Sequence, residues 1–160
     1  MRGQHPDADG LGLDSSQPTL SRAEASFADR QRIALCNHDL SVPLTAREPV
    51  TQTAPFDAIV SALAIHHLTN ERKQTLFAQA HQLLSAGGVF VNLDLVRSAS
   101  PEQHERFRQA IGRLEDDPAD RLAPLCDQLD WMRHAGFIEV DCRFKWLEMA
   151  LMAGVRGPVA

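Results

Sequence analysis

Two periods of apolar spacing run through this chain, and they separate its strands from its helices. Phe56-Asp57-Ala58-Ile59-Val60-Ser61-Ala62-Leu63 is a short, nearly continuous apolar run. Such a run predicts a parallel strand buried on both faces. Leu76, Phe77, Ala80, Leu83 and Leu84 then recur at helical spacing. That helix should open at Thr69 or Asn70 and stop at Gly87-Gly88. Val89 to Val96 returns to a strand pattern.

Upstream, Gly10 to Asp14 reads as a short strand ending in a carboxylate. Ser15 or Ser16 can cap a following helix, with Pro18 in its first turn and Leu20, Ala23 and Phe27 on one face to about Asp29. Arg32 to Cys36 is a second strand. Ser41 to Pro55, with three prolines, predicts a loop. Downstream, Ser100-Pro101-Glu102-Gln103 is a capping-box signature for a helix to about Leu114. Asp116 to Asp120 breaks it, and a further helix runs from about Arg121 to Gly136 with Leu122, Leu125, Leu129 and Met132. Ile138, Val140, Cys142 and Phe144 alternate with polar residues, which predicts a strand with one wet face. Leu147 to Ala153 follows closely enough to close an antiparallel hairpin.

The order is strand, helix, strand, loop, strand, helix, strand, two helices, two strands. Parallel strands joined by helices imply an α/β sheet, and the closing hairpin departs from a plain doubly wound one. A chain of 160 residues fits a single domain. The net charge of −5 without a long basic run gives no sign of nucleic acid as partner. No apolar segment reaches transmembrane length and no signal peptide is visible, so the expected location is the cytoplasm. Cys36, Cys126 and Cys142 are widely spaced and form no CxxC pair, as expected of free thiols in a reducing compartment.

In an open α/β sheet, ligands sit beyond the carboxyl ends of the strands. Three predicted strands end there in polar groups: Asp14, Asp39, and Ser61 followed by His66-His67. A carboxylate after the second strand of a nucleotide-binding sheet can accept both ribose hydroxyls, and one after the next strand can accept from an exocyclic amine. The same residues would serve equally as caps or solvated turn residues. No metal-ligand spacing of the HExxH kind occurs, so no metal site is expected.

The segments LGLDSSQPTLSRAEASFADR, IALCNHDL, FDAIVSALAIHHL, LLSAGGVFVNLDLV and AGFIEVDCRFKWLEMALMAG, in that order, resemble class I S-adenosylmethionine-dependent methyltransferases of the small-molecule type. The resemblance implies a Rossmann-like methyltransferase sheet with a C-terminal antiparallel hairpin, binding S-adenosyl-L-methionine and a small-molecule acceptor. It implies that Asp14, with Ser15 beside it, holds the ribose of the donor. Asp39 and the backbone of Leu40 would meet the adenine, and Ser61 would lie beside the sulfonium. His66 and Asp94 would face the acceptor, and His66 or His67 would be the base where the acceptor must lose a proton.

The departure from that family lies at the amino end. The family opens with a strand and a GxGxG-type turn, whereas Met1 falls where that first unit should have ended. A strand, its turn and its helix take roughly 25–30 residues. The chain is therefore expected to be incomplete, with its true start upstream. The alternatives are that two inner sheet edges close on each other or that a second chain fills the gap. The expected function is methyl transfer, impaired by the missing turn. The alternative is a non-catalytic remnant that dimerises or binds a partner through an exposed sheet edge. A nicotinamide-dependent oxidoreductase ranks last, since it needs a glycine fingerprint and no closing hairpin.

Overall fold

The computed structural model describes residues 7–27, 32–113 and 115–158. The chain divides into two compact units, Met1–Gln52 and Thr53–Ala160.

In the first unit, β1 (Gly10–Asp14) and β2 (Ile33–Asn37) form a parallel pair with Asp14 opposite Asn37. They are joined through α1 (Gln17–Ser26), whose cap is Ser16: its hydroxyl accepts from the Thr19 amide, with Pro18 in the first turn. Of the apolar face expected on α1, only Leu20 is buried, and Phe27 stands exposed. A two-stranded sheet offers little apolar surface for a helix to cover. The expected helix end at Asp29 lies outside the described residues. The predicted loop at 41–55 is instead structured. It contains a 3-10 turn, Leu44–Ala46, and a short helix, α2 (Glu48–Thr53). Pro49 is preorganised for a first helical turn, and Leu44 and Val50 are both buried.

The second unit is a four-stranded sheet in the order β3-β4-β6-β5. β3 (Phe56–Ala62) pairs in parallel with β4 (Leu84–Leu95). β4 pairs antiparallel with β6 (Met149–Arg156), and β6 with β5 (Phe137–Trp146). The strand expected to be buried on both faces is thus an edge strand. Ile59 and Ser61 turn inward, while Val60 is 62% exposed. α3 (Asn70–Leu83) and α5 (Leu125–His134) cover one face of this sheet. On that face Phe90, Asn92 and Asp94 of β4 lie opposite Gly154, Met152 and Ala150 of β6, and all six are buried. Phe77 of α3 meets Phe90 at 5.6 Å between ring centroids, and Phe90 stacks on Phe137 at the same distance.

Three boundaries differ from expectation. β4 begins at Leu84, directly after α3, because Leu84 already pairs with Phe56 across a bulge. Gly87-Gly88 therefore does not end the helix. A Cβ on Gly88 would sit 2.9 Å from Ser85 O and 3.1 Å from Phe56 O, so the residue marks a close approach of two strand backbones. α5 begins at Leu125, because residues 121–123 run extended: the Arg121 amide donates to His66 O and the Arg97 amide to Ala123 O. In β5, the register shifts between Ile138 and Asp141 and again between Cys142 and Phe144. These bulges break the expected alternation and leave Ile138 and Phe144 exposed. α4 (Pro101–Ala110) opens on Ser100, whose hydroxyl accepts from the Gln103 amide; its expected end at Leu114 is outside the described residues.

Candidate functional site

In the first unit, the carboxyl ends of β1 and β2 bring Asp14, Ser15, Asp39 and Leu40 to one end of the parallel pair. The two strand tips are tied together, with the His38 amide donating to Asp14 O and the Asn37 side-chain amide to Ser15 O. Each carboxylate is oriented by its own turn. Asp14 Oδ1 accepts from the Ser16 amide at 2.7 Å, and Asp39 Oδ1 from the Ser41 amide at 2.8 Å. These are Asx turns, which fix the orientation of each carboxylate at its strand tip. Asp14 is half-buried and Asp39 exposed.

In the second unit, a chain of polar groups lies at the carboxyl end of the parallel pair β3-β4. Ser61 is opposite Asn92 in register, and Ser61 Oγ and Asn92 Oδ1 are both buried without a hydrogen-bond partner. Two residues on, Asp94 meets His66, which sits in the 3-10 turn Ile65–His67 after β3; Asp94 Oδ1 lies 2.5 Å from His66 Nδ1. Asp94 also accepts from the Leu95 amide at 3.0 Å and from the Asn92 side-chain amide at 3.5 Å. Asp94 is the acceptor throughout, so the proton of the short contact belongs on His66 Nδ1. His66 Nε2 is left facing Asp120 Oδ1 at 3.4 Å, and His67 Nδ1 lies at the same distance from that oxygen.

Sequence reasoning picked out Ser61, His66, His67 and Asp94, and the fold hydrogen-bonds His66 to Asp94. It missed Asp120, which stands in an acidic stretch read as a helix break. It also expected no metal ligands, yet one nitrogen each of His66 and His67 and one oxygen of Asp120 lie within 4.8 Å of one another.

Lys73 escaped notice for another reason. It looks like an ordinary surface lysine of an amphipathic helix, but it is fully buried, and its ammonium donates to Leu68 O at 2.8 Å and to Arg121 O. Burial pushes its pKa below the ordinary lysine value, opposed by the charge of Asp94. Lys73 thereby fastens the turn after β3 to the extended segment that follows Asp120.

Asp120 also lines a cavity of about 330 Å³ shared with Arg97, His104, Phe107 and Glu148. The buried Glu148 carboxylate accepts from Ser98 Oγ at 2.5 Å and meets His104 Nδ1 at 2.6 Å, and the other ring nitrogen of His104 meets Asp116 at 2.9 Å. Arg108 approaches the same oxygen of Asp116 at 3.7 Å. The hydrogen bond to Glu148 raises the His104 pKa above the ordinary imidazole value; burial opposes this and Asp116 adds to it. A raised folded-state pKa gives stability that is complete below the unfolded value and is lost as pH rises through the folded one. His104→Gln is expected to cost about 1 kcal/mol near pH 6, after allowance for the partial exposure of His104. The difference from the parent should shrink by about pH 9, as read by urea unfolding. An equal cost at both pH values would show that Glu148 does not hold a proton on His104.

Comparison with known proteins decides the family. A family model described as a methyltransferase domain matches residues 1–90, more than half of the chain. The chain belongs to the methyltransferase domain family. This methyltransferase domain is 32% identical, over 119 residues, to an uncharacterized methyltransferase of Geobacillus kaustophilus; the match covers 74% of this chain and 48% of the relative. The domain thus spans about half the length of that curated relative. Among solved structures it is similar to an O-methyltransferase family protein from Burkholderia thailandensis, with a TM-score of 0.72 at 16% identity, covering 96% of this chain and 45% of that one. It is also similar to the S-adenosylmethionine-dependent methyltransferase SibL in its apo form, with a TM-score of 0.66 at 19% identity, covering 96% and 45%. These likenesses establish a Rossmann-like methyltransferase fold. No helix among the described residues is long and apolar enough to cross a membrane.

Proposed function

We propose that this domain transfers a methyl group from S-adenosylmethionine to a small-molecule acceptor. The observation that supports it most directly is the carboxyl end of β1 and β2, where Asp14 and Asp39 follow adjacent parallel strands with their side chains oriented by Asx turns. The donor's polar groups match these residues. Asp14, with Ser15, would take the ribose hydroxyls, and Asp39 with the Leu40 amide would take the adenine edge. In the second unit the Ser61 hydroxyl is buried and unpartnered, and its assignment to the sulfonium end rests on the family resemblance alone. When bound, the donor supplies an electrophilic methyl group on a positively charged sulfur.

The protein's share of such a reaction is alignment and exclusion of water. Where the acceptor must lose a proton, His66 Nε2 would receive it. Asp94 would hold the ring in orientation and stabilise the resulting charge, a pairing that typically supplies about 10²–10⁴-fold in rate.

Calorimetry with S-adenosylmethionine tests the reading on this chain and on a form extended at its amino end through a glycine-rich turn. One-to-one binding by at least one of them is expected, weakened tenfold or more by Asp14→Ala, since hydrogen bonds to a charged group contribute roughly 1.5–3 kcal/mol. Absence of binding by both would falsify the reading.

One observation favours a second reading, a non-catalytic domain that pairs through a sheet edge: the outer edge of β3 has no strand partner among the described residues. An unpaired edge is a template for another chain. Light scattering separates the two readings, since a clean monomer argues against edge pairing.

A further inference from the structure

We propose that His66, His67 and Asp120 form a binding site for a divalent cation of the zinc class. The first argument is donor chemistry. Two imidazole nitrogens and a carboxylate oxygen are the ligand set that a borderline-soft cation takes at catalytic sites, with a fourth position left for water or substrate. The second is spacing. Ligands about 2.0–2.1 Å from a tetrahedral ion stand about 3.3–3.4 Å apart. His66 Nε2 and His67 Nδ1 are each 3.4 Å from Asp120 Oδ1.

The third argument is the surroundings of the ligands. Metal-binding histidines donate their other nitrogen to a carboxylate, and metal-binding carboxylates are themselves hydrogen-bonded. Here His66 Nδ1 is committed to Asp94 at 2.5 Å, which presents Nε2 as the free lone pair. Asp120 Oδ2 accepts from Arg113 at 3.3 Å, which leaves Oδ1 as the available oxygen. That Oδ1 is buried and has no hydrogen-bond partner. A buried carboxylate oxygen facing an imidazole lone pair is an unfavourable pairing, and a cation between them resolves it.

The exposed His67 ring also sets Nδ1 3.4 Å from Ala119 O, a long contact that coordination would replace. Asp120 lines the 330 Å³ cavity, so a water or a substrate heteroatom from that cavity can complete the coordination. None of the three ligands is assigned to the methyl donor, and the site shares only His66 with the acceptor side of the methyl-transfer reading. His66 Nε2 serves one partner at a time, so a bound cation would displace the proton-accepting role given to His66 above.

The test is titration of the intact chain with Zn²⁺ by calorimetry and with Co²⁺ by visible absorption. Binding of one equivalent is expected, with the intense bands of tetrahedral Co²⁺ and no thiolate charge-transfer band. His67→Ala removes an exposed ring and Asp120→Asn preserves shape, so both should keep their near-ultraviolet circular dichroism. Each should weaken Zn²⁺ at least tenfold. The proposal is overturned if the parent does not bind, if either folded variant retains parental affinity, or if a thiolate band shows that the cysteines hold the metal.

Discussion

Asp94→Ala is expected to lower the stability of the second unit by about 3–5 kcal/mol, because it strips partners from several buried groups at once. Asp94 is 1% exposed and accepts from His66, from the Leu95 amide and from the Asn92 side chain. Without it, His66 Nδ1–H and the Leu95 amide are left in a dry interior with nothing to receive their protons. Lys73, whose buried ammonium draws on the charge of Asp94, loses support as well. With a typical urea dependence of about 1–3 kcal/mol per molar, the midpoint should fall by at least about 1 M. Asp94→Asn keeps the shape and one acceptor oxygen, so it should fall less far. A loss below about 1 kcal/mol in the alanine variant would mean that the His66–Asp94 contact is not formed in solution.

Phe77→Ala should cost a similar 3–5 kcal/mol, for a reason unconnected with charge. Its ring is fully buried between α3 and β4 and carries a row of aromatic contacts through Phe90 to Phe137. Removing it leaves a cavity between α3 and β4 beside Phe90, in an interior packed too tightly to close over it without loss. Against a usual domain stability of about 5–15 kcal/mol, this variant stands at the margin of folding. Thermal unfolding followed at 222 nm would show it. A parent-like midpoint would mean that the helix does not pack as described.

The elements that could be read from the residues were those where local chemistry and tertiary packing agree. Thr69 and Ser100 cap their helices by hydroxyls that accept three residues on, as their sequences announce. β1, α3 and the closing hairpin fall close to where the apolar spacing puts them. The misses occur where a distant partner overrides the local pattern. Leu84 looks helical by spacing, yet Phe56 claims it for a strand. Arg121 and Leu122 look helical too, but main-chain bonds from Arg121 to His66 and from Arg97 to Ala123 hold that stretch extended. The site divides in the same way. Polar residues at strand tips advertise themselves, because the sheet's own geometry makes such positions useful. Asp120 and Lys73 do not, since one hides in an acidic run and the other on a helix, and only long-range folding brings them to His66.

Residues 116–122 both wall the cavity and carry Asp120, and they are anchored at Arg121 by its amide on His66 O and its carbonyl on Lys73. A molecule large enough to widen the cavity cannot push this wall outward without parting Asp120 from the imidazole beside it. If Asp120 holds a cation as proposed, a guest that displaces this wall removes one of its ligands, so Zn²⁺ affinity would report occupancy of the cavity.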